Sequence, residues 1–252
     1  MLYDLSMSES NKYEALKNNY TSTVYVIQEI SGSKAGSPKI NIMGASKRLA
    51  EIIFQAFASE EKKLFKENKE YIPTLFSIVR FGNVLASSGS VVPLFKKQIS
   101  NGGPVTLTHR DIVRYFMTIK EAVRLILITT TMTKGGDVFL LDMGEPVKII
   151  SLAEQMIRLS GLTIKNQGNP EGDIEIVETG LRPGEKLFEE LLINAEAIST
   201  DHPLIFKANE NYIEFDELIK KLKLLEKAIQ QNNLKDVLKN LSMLVPEWKA
   251  NL

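Results

Sequence analysis

Lys47 stands four residues after Met43 in the run Asn41-Ile-Met-Gly-Ala-Ser-Lys-Arg-Leu-Ala-Glu51. Residues four apart share one face of a helix, about one turn apart. A phenol at position 43 would lie beside an ammonium. The positive charge would favour the phenolate and let it move a proton near neutral pH. Methionine has no proton to give, so proton transfer here must rely on another group or on water. The bare pattern Met-x-x-x-Lys is ordinary in helices, and its neighbours must supply the meaning. Tyr13-Glu-Ala-Leu-Lys17 carries the phenol literally, but its Lys-Asn-Asn flank reads as a turn of a structural surface helix.

Three further segments carry groups that could hold an anion. Arg80-Phe-Gly-Asn83 ends an apolar run. Thr106-Leu-Thr-His-Arg-Asp-Ile-Val-Arg-Tyr-Phe-Met-Thr118 follows a Gly-Gly-Pro turn. Thr179-Gly-Leu-Arg-Pro-Gly-Glu-Lys186 follows an alternating strand pattern. Each places an arginine or asparagine at a loop or strand end, where donors can converge. The planar fork of arginine suits phosphate oxygens. A sugar nucleotide diphosphate calls for about this set: two arginines, an amide, and a carboxylate for ribose hydroxyls. Arg114 and Arg182 read as the functional pair. Arg80 and Arg110 read as surface or sheet-edge salt-bridging residues.

The elements that must position these groups form an α/β pattern. The 252 residues are 44% hydrophobic and 25% charged, ordinary for a globular chain. Lys plus Arg equals Asp plus Glu at 31 each, so nothing asks for a nucleic-acid partner. Cysteine is absent, which excludes disulfides and cysteine-based zinc sites. With only His109 and His202, no metal site is expected. No apolar run approaches a membrane span, and the first residues lack the pattern of a signal peptide. The expectation is a cytoplasmic protein.

Helices are predicted over about 9–20, 43–65, 92–100, 119–131, 149–159 (with Ser151 as N-cap), 186–193, 215–231 and 234–244. Strands are predicted over about 23–30, 74–85, 105–108, 137–143 and 173–178. Alternation of this kind implies a mostly parallel sheet. A dinucleotide-binding sheet usually opens with a strand, G-x-G-x-x-G and a helix. That fingerprint occurs nowhere in the chain.

From about Asn41 to Leu192 the chain resembles the extended short-chain dehydrogenases/reductases of bacterial polysaccharide biosynthesis. It is most similar to the UDP-N-acetylglucosamine 4,6-dehydratases, whose membrane-anchored members carry methionine where the superfamily has tyrosine. The resemblance rests on Met-Gly-Ala-Ser-Lys-Arg, Arg-Phe-Gly-Asn-Val-Leu, Gly-Gly-Pro-Val-Thr, Arg-Tyr-Phe-Met-Thr and Gly-Leu-Arg-Pro-Gly-Glu-Lys, in that order. It implies that Lys47 holds the ribose of a nicotinamide cofactor, NAD or NADP, with Phe81 beside the nicotinamide. It implies that Asn83, Arg114 and Arg182 bind the diphosphate of a UDP-sugar and Glu185 its ribose. Thr106 would lie in the strand edging the nucleotide. The implied reaction oxidises sugar C4, eliminates water across C5 and C6, and returns the hydride to C6. A UDP-sugar 4-epimerase, or a non-catalytic protein that binds a sugar nucleotide or a partner, is the alternative reading. The resemblance also makes the Met43–Phe65 helix a candidate homodimer interface.

The chain departs from the family before that helix. Members carry Ser-Thr-Asp-Lys-Ala there, where the aspartate is the acid for the leaving hydroxyl. Here the stretch is Ser31-Gly-Ser-Lys-Ala35, so Lys34 stays while Ser33 replaces the carboxyl. A serine hydroxyl is a far poorer acid than a tuned carboxyl. The stretch from Asn19 to Ser31 is also too short for the family's helix end, turn and strand. The expected organisation has three parts: a remnant of a nucleotide-binding half over 1–40, the active-site helix, remaining sheet and sugar-nucleotide part over 41–208, and a helical tail over 209–252. The expected fold is a partial Rossmann-like parallel sheet with a smaller substrate-binding subdomain, belonging to a C-terminal portion or decayed copy of a larger dehydratase.

Overall fold

The computed structural model describes residues 25–26, 42–87, 90–181, 185–188 and 197–248. Strand β1 is Tyr25–Val26, and helix α1 runs from Ile42 to Glu67. Then follow β2 (Ser77–Arg80), β3 (Asn83–Val84), α2 (Val91–Ser100), β4 (Val105–Leu107), β5 (Val113–Arg114) and β6 (Phe116–Met117). Helix α3 (Ile119–Met132) leads to β7 (Asp137–Leu141), β8 (Val147–Lys148) and α4 (Ile149–Leu159). The chain continues through β9 (Ile164–Lys165), β10 (Ile174–Glu178), β11 (Ala197–Ser199) and β12 (Ile205–Ala208). Helices α5 (Phe215–Gln230) and α6 (Leu234–Leu244) complete it.

The fold is α/β. The main sheet has the order β1-β2-β7-β12-β11. Its first three strands are parallel, with Ser77 opposite Asp137 and Arg80 opposite Leu140. Both faces of β2 and β7 are covered, which is why Ser77–Arg80 and Val138–Leu141 are continuously buried rather than alternating. Strands β12 and β11 extend the sheet in antiparallel fashion. A second, three-stranded sheet sets β10 between β4 and β9, all parallel.

Three apolar clusters hold these layers. Val79, Phe81, Phe139, Leu141 and Ile205 pack one sheet face against Ala122 and Leu125 of α3. Phe95, Ile99, Val105, Ile149, Ala153, Ile157 and Ile174 join α2 and α4 to the smaller sheet. Ala45, Leu49, Ile52 and Ala56, spaced as one stripe of α1, meet Leu218, Leu225, Leu241, Leu244 and Trp248 of the tail. The tail therefore shares a core with the helix that carries Lys47. From Ala45 to Glu61 no described side chain of α1 is exposed, so a second copy meeting this helix would find half-buried groups such as Ala50 and Phe54.

The structure revises one cap and one helix. Helix α4 begins directly after Lys148, with Ser151 inside its first turn rather than capping it. Its first N–H donates to the carbonyl of Ile112 at 3.0 Å, so a neighbouring backbone group does what a capping side chain would. Residues 186–188 are not helical, and the rest of the helix expected there lies outside the described residues. The Leu187 carbonyl accepts from the N–H of Val113 at 3.0 Å, which ties the segment to β5 instead. The helix expected at 9–20 also lies outside the described residues. Among the described residues no helix is long and apolar enough to cross a membrane.

Candidate functional site

Strand β3 begins three residues after β2 ends, and this places Asn83 just beyond the C-terminal end of an interior strand of the main sheet. The Asn83 backbone N–H and its side-chain Nδ2 both donate to the carbonyl of Tyr115, at 3.1 and 3.0 Å. Parallel pairing of β3 with β6 fixes this register, Asn83 opposite Phe116. The residue next to that carbonyl is Arg114. Its Nη1 donates to the carbonyls of Val113 (2.8 Å) and Leu187 (3.1 Å), and its Nη2 to that of Lys186 (3.0 Å). Arg114 Nη2 also lies 3.8 Å from Glu185 Oε1, and both side chains are buried. Glu185 Oε1 accepts a hydrogen bond from the Thr108 hydroxyl at 2.9 Å.

Thr106 sits two residues before Thr108 on β4. Its hydroxyl accepts from Gln98 Nε2 at 2.7 Å, and its N–H donates to Gln98 Oε1 at 3.1 Å. With its lone-pair side engaged, the Thr106 hydroxyl proton is left to act as a donor. The Thr179 N–H donates to the Leu107 carbonyl at 2.8 Å. The Gly180 φ of +87° then turns the chain away from β10 toward residue 185. Asn83, Arg114 and Glu185 thus come from three separate segments of chain and are linked through the Tyr115 carbonyl and the Arg114 guanidinium.

Other expected residues fall elsewhere. Met43 and Lys47 both lie in α1, one turn apart, and Lys47 is half-buried. Phe81 is 3% exposed and its ring belongs to the core with Val79, Met117 and Phe139. Ser33, Lys34 and Arg182 lie outside the described residues. Gln98 and Thr108 were missed because neither has a local signal; only the fold brings helix α2 and the 185–188 segment to β4.

Arg80 does form salt bridges, as read from the sequence, but it does so in the interior. Its Nε donates to Glu51 Oε1 at 2.7 Å and its Nη1 to Glu210 Oε1 at 2.6 Å, while its Nη2 also donates to Glu51 Oε2. Burial opposes the charge, but the hydrogen bonds and Coulomb field of Glu51, then of Glu210, outweigh it and hold Arg80 above its usual pKa. Arg48 reaches the same carboxylates: Nη1 to Glu51 Oε2 at 3.2 Å and Nη2 to Glu210 Oε2 at 3.1 Å. Arg110 makes a looser contact with Glu178, 3.7 Å away.

The chain as a whole is similar to known proteins. The family model described as "Polysaccharide biosynthesis protein" matches residues 3–210. The chain is 48% identical over 197 residues to the capsular polysaccharide biosynthesis protein CapD of Staphylococcus aureus, covering 74% of this chain and 30% of that protein. It is 32% identical over 195 residues to a UDP-glucose 4-epimerase of Rickettsia rickettsii, covering 77% of this chain and 50% of that one. The X-ray structure of Pen from Bacillus thuringiensis matches with a TM-score of 0.56 at 28% identity, over 88% of this chain and 72% of that chain. The chain spans about a third to a half of the length of these curated relatives. By the extent of the family match and the sheet and helices that carry its motifs, this chain belongs to the polysaccharide biosynthesis protein family, with the α/β fold of the extended short-chain dehydrogenases.

Proposed function

We propose that this chain provides the active-site helix and sugar-nucleotide-binding part of a UDP-N-acetylglucosamine 4,6-dehydratase. The observation that carries the reading is the convergence of Asn83, Arg114 and Glu185, three motif residues from separate segments, around the Tyr115 and Lys186 backbone. An amide, a guanidinium and a carboxylate in one place match the demands of a nucleoside diphosphate: donors for phosphate oxygens and an acceptor for ribose hydroxyls. One relative is named for capsular polysaccharide biosynthesis and another as a UDP-glucose 4-epimerase, which supports this ligand class.

A nicotinamide cofactor, NAD or NADP, would supply hydride removal from the sugar and its return. Among the described residues, those that fit it lie at its ribose end. Lys47 can hold ribose hydroxyls, whereas the Phe81 ring is enclosed in the core and no G-x-G-x-x-G occurs in the sequence. In this chain Arg114 has a second task. By donating to the carbonyls of Lys186 and Leu187 it holds the segment bearing Glu185 against β5, so ligand binding and loop placement depend on one guanidinium. Met43 cannot transfer a proton, and Ser33 at its ordinary acidity would protonate a leaving hydroxyl poorly. Elimination by this chain is therefore expected to be slow.

Isothermal titration with UDP-N-acetylglucosamine and with NAD⁺ tests the reading. Saturable binding of the sugar nucleotide is expected, and its absence would refute the proposal. Mass spectrometry of the product separates the alternatives. A dehydratase product lacks one water, a 4-epimerase product has unchanged mass, and an unaltered substrate marks a binding protein.

A further inference from the structure

We propose that Glu210, from the C-terminal segment, is a positioning residue of the candidate site. Acting through Arg48 and Arg80, it fixes the helix that carries Lys47 against the strand that leads to Asn83. The inference rests on the reading of Lys47 and Asn83 as site residues.

Arg48, Glu51, Arg80 and Glu210 form a closed ring of alternating charge. Each carboxylate contacts both guanidinium groups, and the four side chains are between 2% and 7% exposed. Two members lie on α1, one ends β2, and one follows β12. Arg48 is the residue after Lys47, and Arg80 is three residues before Asn83. Arg48 is further anchored by the Asn211 carbonyl at 2.7 Å and by Glu247 Oε1 at 3.4 Å. The C-terminal segment therefore holds α1 by its carboxylates as well as by its apolar face.

Stability alone does not call for such a ring. Well-packed apolar side chains of similar volume often stabilise as much as buried ion pairs or more. A ring of guanidinium and carboxylate groups does something apolar packing does not: it has fixed directions and lengths. The apolar stripe Ala45, Leu49, Ile52 and Ala56 recurs every three or four residues, so by itself it would accept α1 shifted by one turn. The ring accepts a single register. That register sets how far Lys47 stands from the β2–β3 turn.

Two variants and two readouts test the assignment. Glu210→Gln keeps the shape and removes one charge. A ring-free variant, Arg48→Met, Glu51→Leu, Arg80→Met, Glu210→Leu and Glu247→Gln, removes every ring charge together. The rate of Lys47 acylation by acetic anhydride, read by mass spectrometry against exposed Lys120, reports the placement of the lysine without requiring any ligand. A change of roughly fivefold is expected in both variants, within the range of mutations acting through a packed network. UDP-N-acetylglucosamine affinity should fall by a similar factor, although the ring-free variant unfolds at a temperature no lower than wild type. An unchanged Lys47 rate in a folded variant overturns the proposal. So does failure of the ring-free variant to fold, which would make the ring a stability element. If wild-type protein binds no UDP-N-acetylglucosamine, the site reading fails, and the Lys47 rates alone decide the positioning role.

Discussion

At the scale of single residues, two arginines of the motif segments have different surroundings. Arg80 and Arg114 come from equally motif-rich segments. Arg80 is enclosed between two carboxylates, whereas Arg114 faces backbone carbonyls at the candidate site. Replacing Arg80 with methionine leaves Glu51 and Glu210 buried with half their compensation. Removing one partner of a buried pair costs about 3–5 kcal/mol, and urea unfolding of Arg80→Met should show a loss of that order. Arg114→Lys keeps the charge but loses the fork that spans Val113, Lys186 and Leu187, and so should weaken sugar-nucleotide binding more than it lowers the unfolding midpoint. Ser33→Asp supplies the missing acid, and turnover by product mass spectrometry should rise if the departure from the family limits elimination.

At the scale of elements, the legible parts of the sequence were those with a strong period or a local signal. The apolar stripes of α1, α2, α3, α5 and α6 gave their extents to within a few residues, because burial on one helical face leaves a repeating trace. Strands β5, β6, β8 and β9 are two residues long and show no period, so they could not be read. Strands β11 and β12 were missed for another reason: they join the sheet antiparallel after a long detour, and nothing local announces such pairing. Thr118 and Glu121 form a capping box at α3, with the Thr118 N–H to Glu121 Oε2 at 2.7 Å and the Glu121 N–H to the Thr118 hydroxyl at 3.2 Å. Thr118→Ala should cost about 1 kcal/mol in thermal or urea unfolding.

The same box makes stability depend on pH. Hydrogen bonds from the Thr118 backbone and side chain lower the Glu121 pKa, and the hydroxyl and N–H of Thr163 lower that of Asp173. The folded form thus binds these protons less readily than the unfolded chain. Their contribution is complete above the ordinary carboxylate range and is lost as pH falls through the lowered values. A Glu121→Gln, Asp173→Asn variant should show a shallower fall of the unfolding midpoint below about pH 4 than wild type; an equal slope would place the acid sensitivity elsewhere.

At the scale of the whole molecule, the tail gains in the structure a partner that the sequence did not name. Residues 209–252 carry no chemical motif and read as a helical packing or interaction element. In the fold they complete the core of α1 and contribute Glu210 and Glu247 to its buried charges. Composition revealed the helices but could not reveal their partner, since an amphipathic face does not specify what covers it. Trp248 is 6% exposed within that cluster. Trp248→Ala should cost about 3–5 kcal/mol and raise the binding of a hydrophobic dye.

The candidate site was legible as a set of residue types but not as a geometry. The sequence could pair Asn83, Arg114 and Glu185 only through family resemblance, whereas the structure links Asn83 to the Tyr115 carbonyl beside Arg114, and Arg114 to Glu185 directly and through the Lys186 carbonyl. The most direct measurement is the affinity of UDP-N-acetylglucosamine for wild-type and Asn83→Ala protein, titrated side by side. Saturable binding that weakens roughly tenfold on loss of the amide, the worth of one hydrogen bond to a ligand, is the predicted result. No binding by wild type, or equal affinity in the two proteins, would contradict the account.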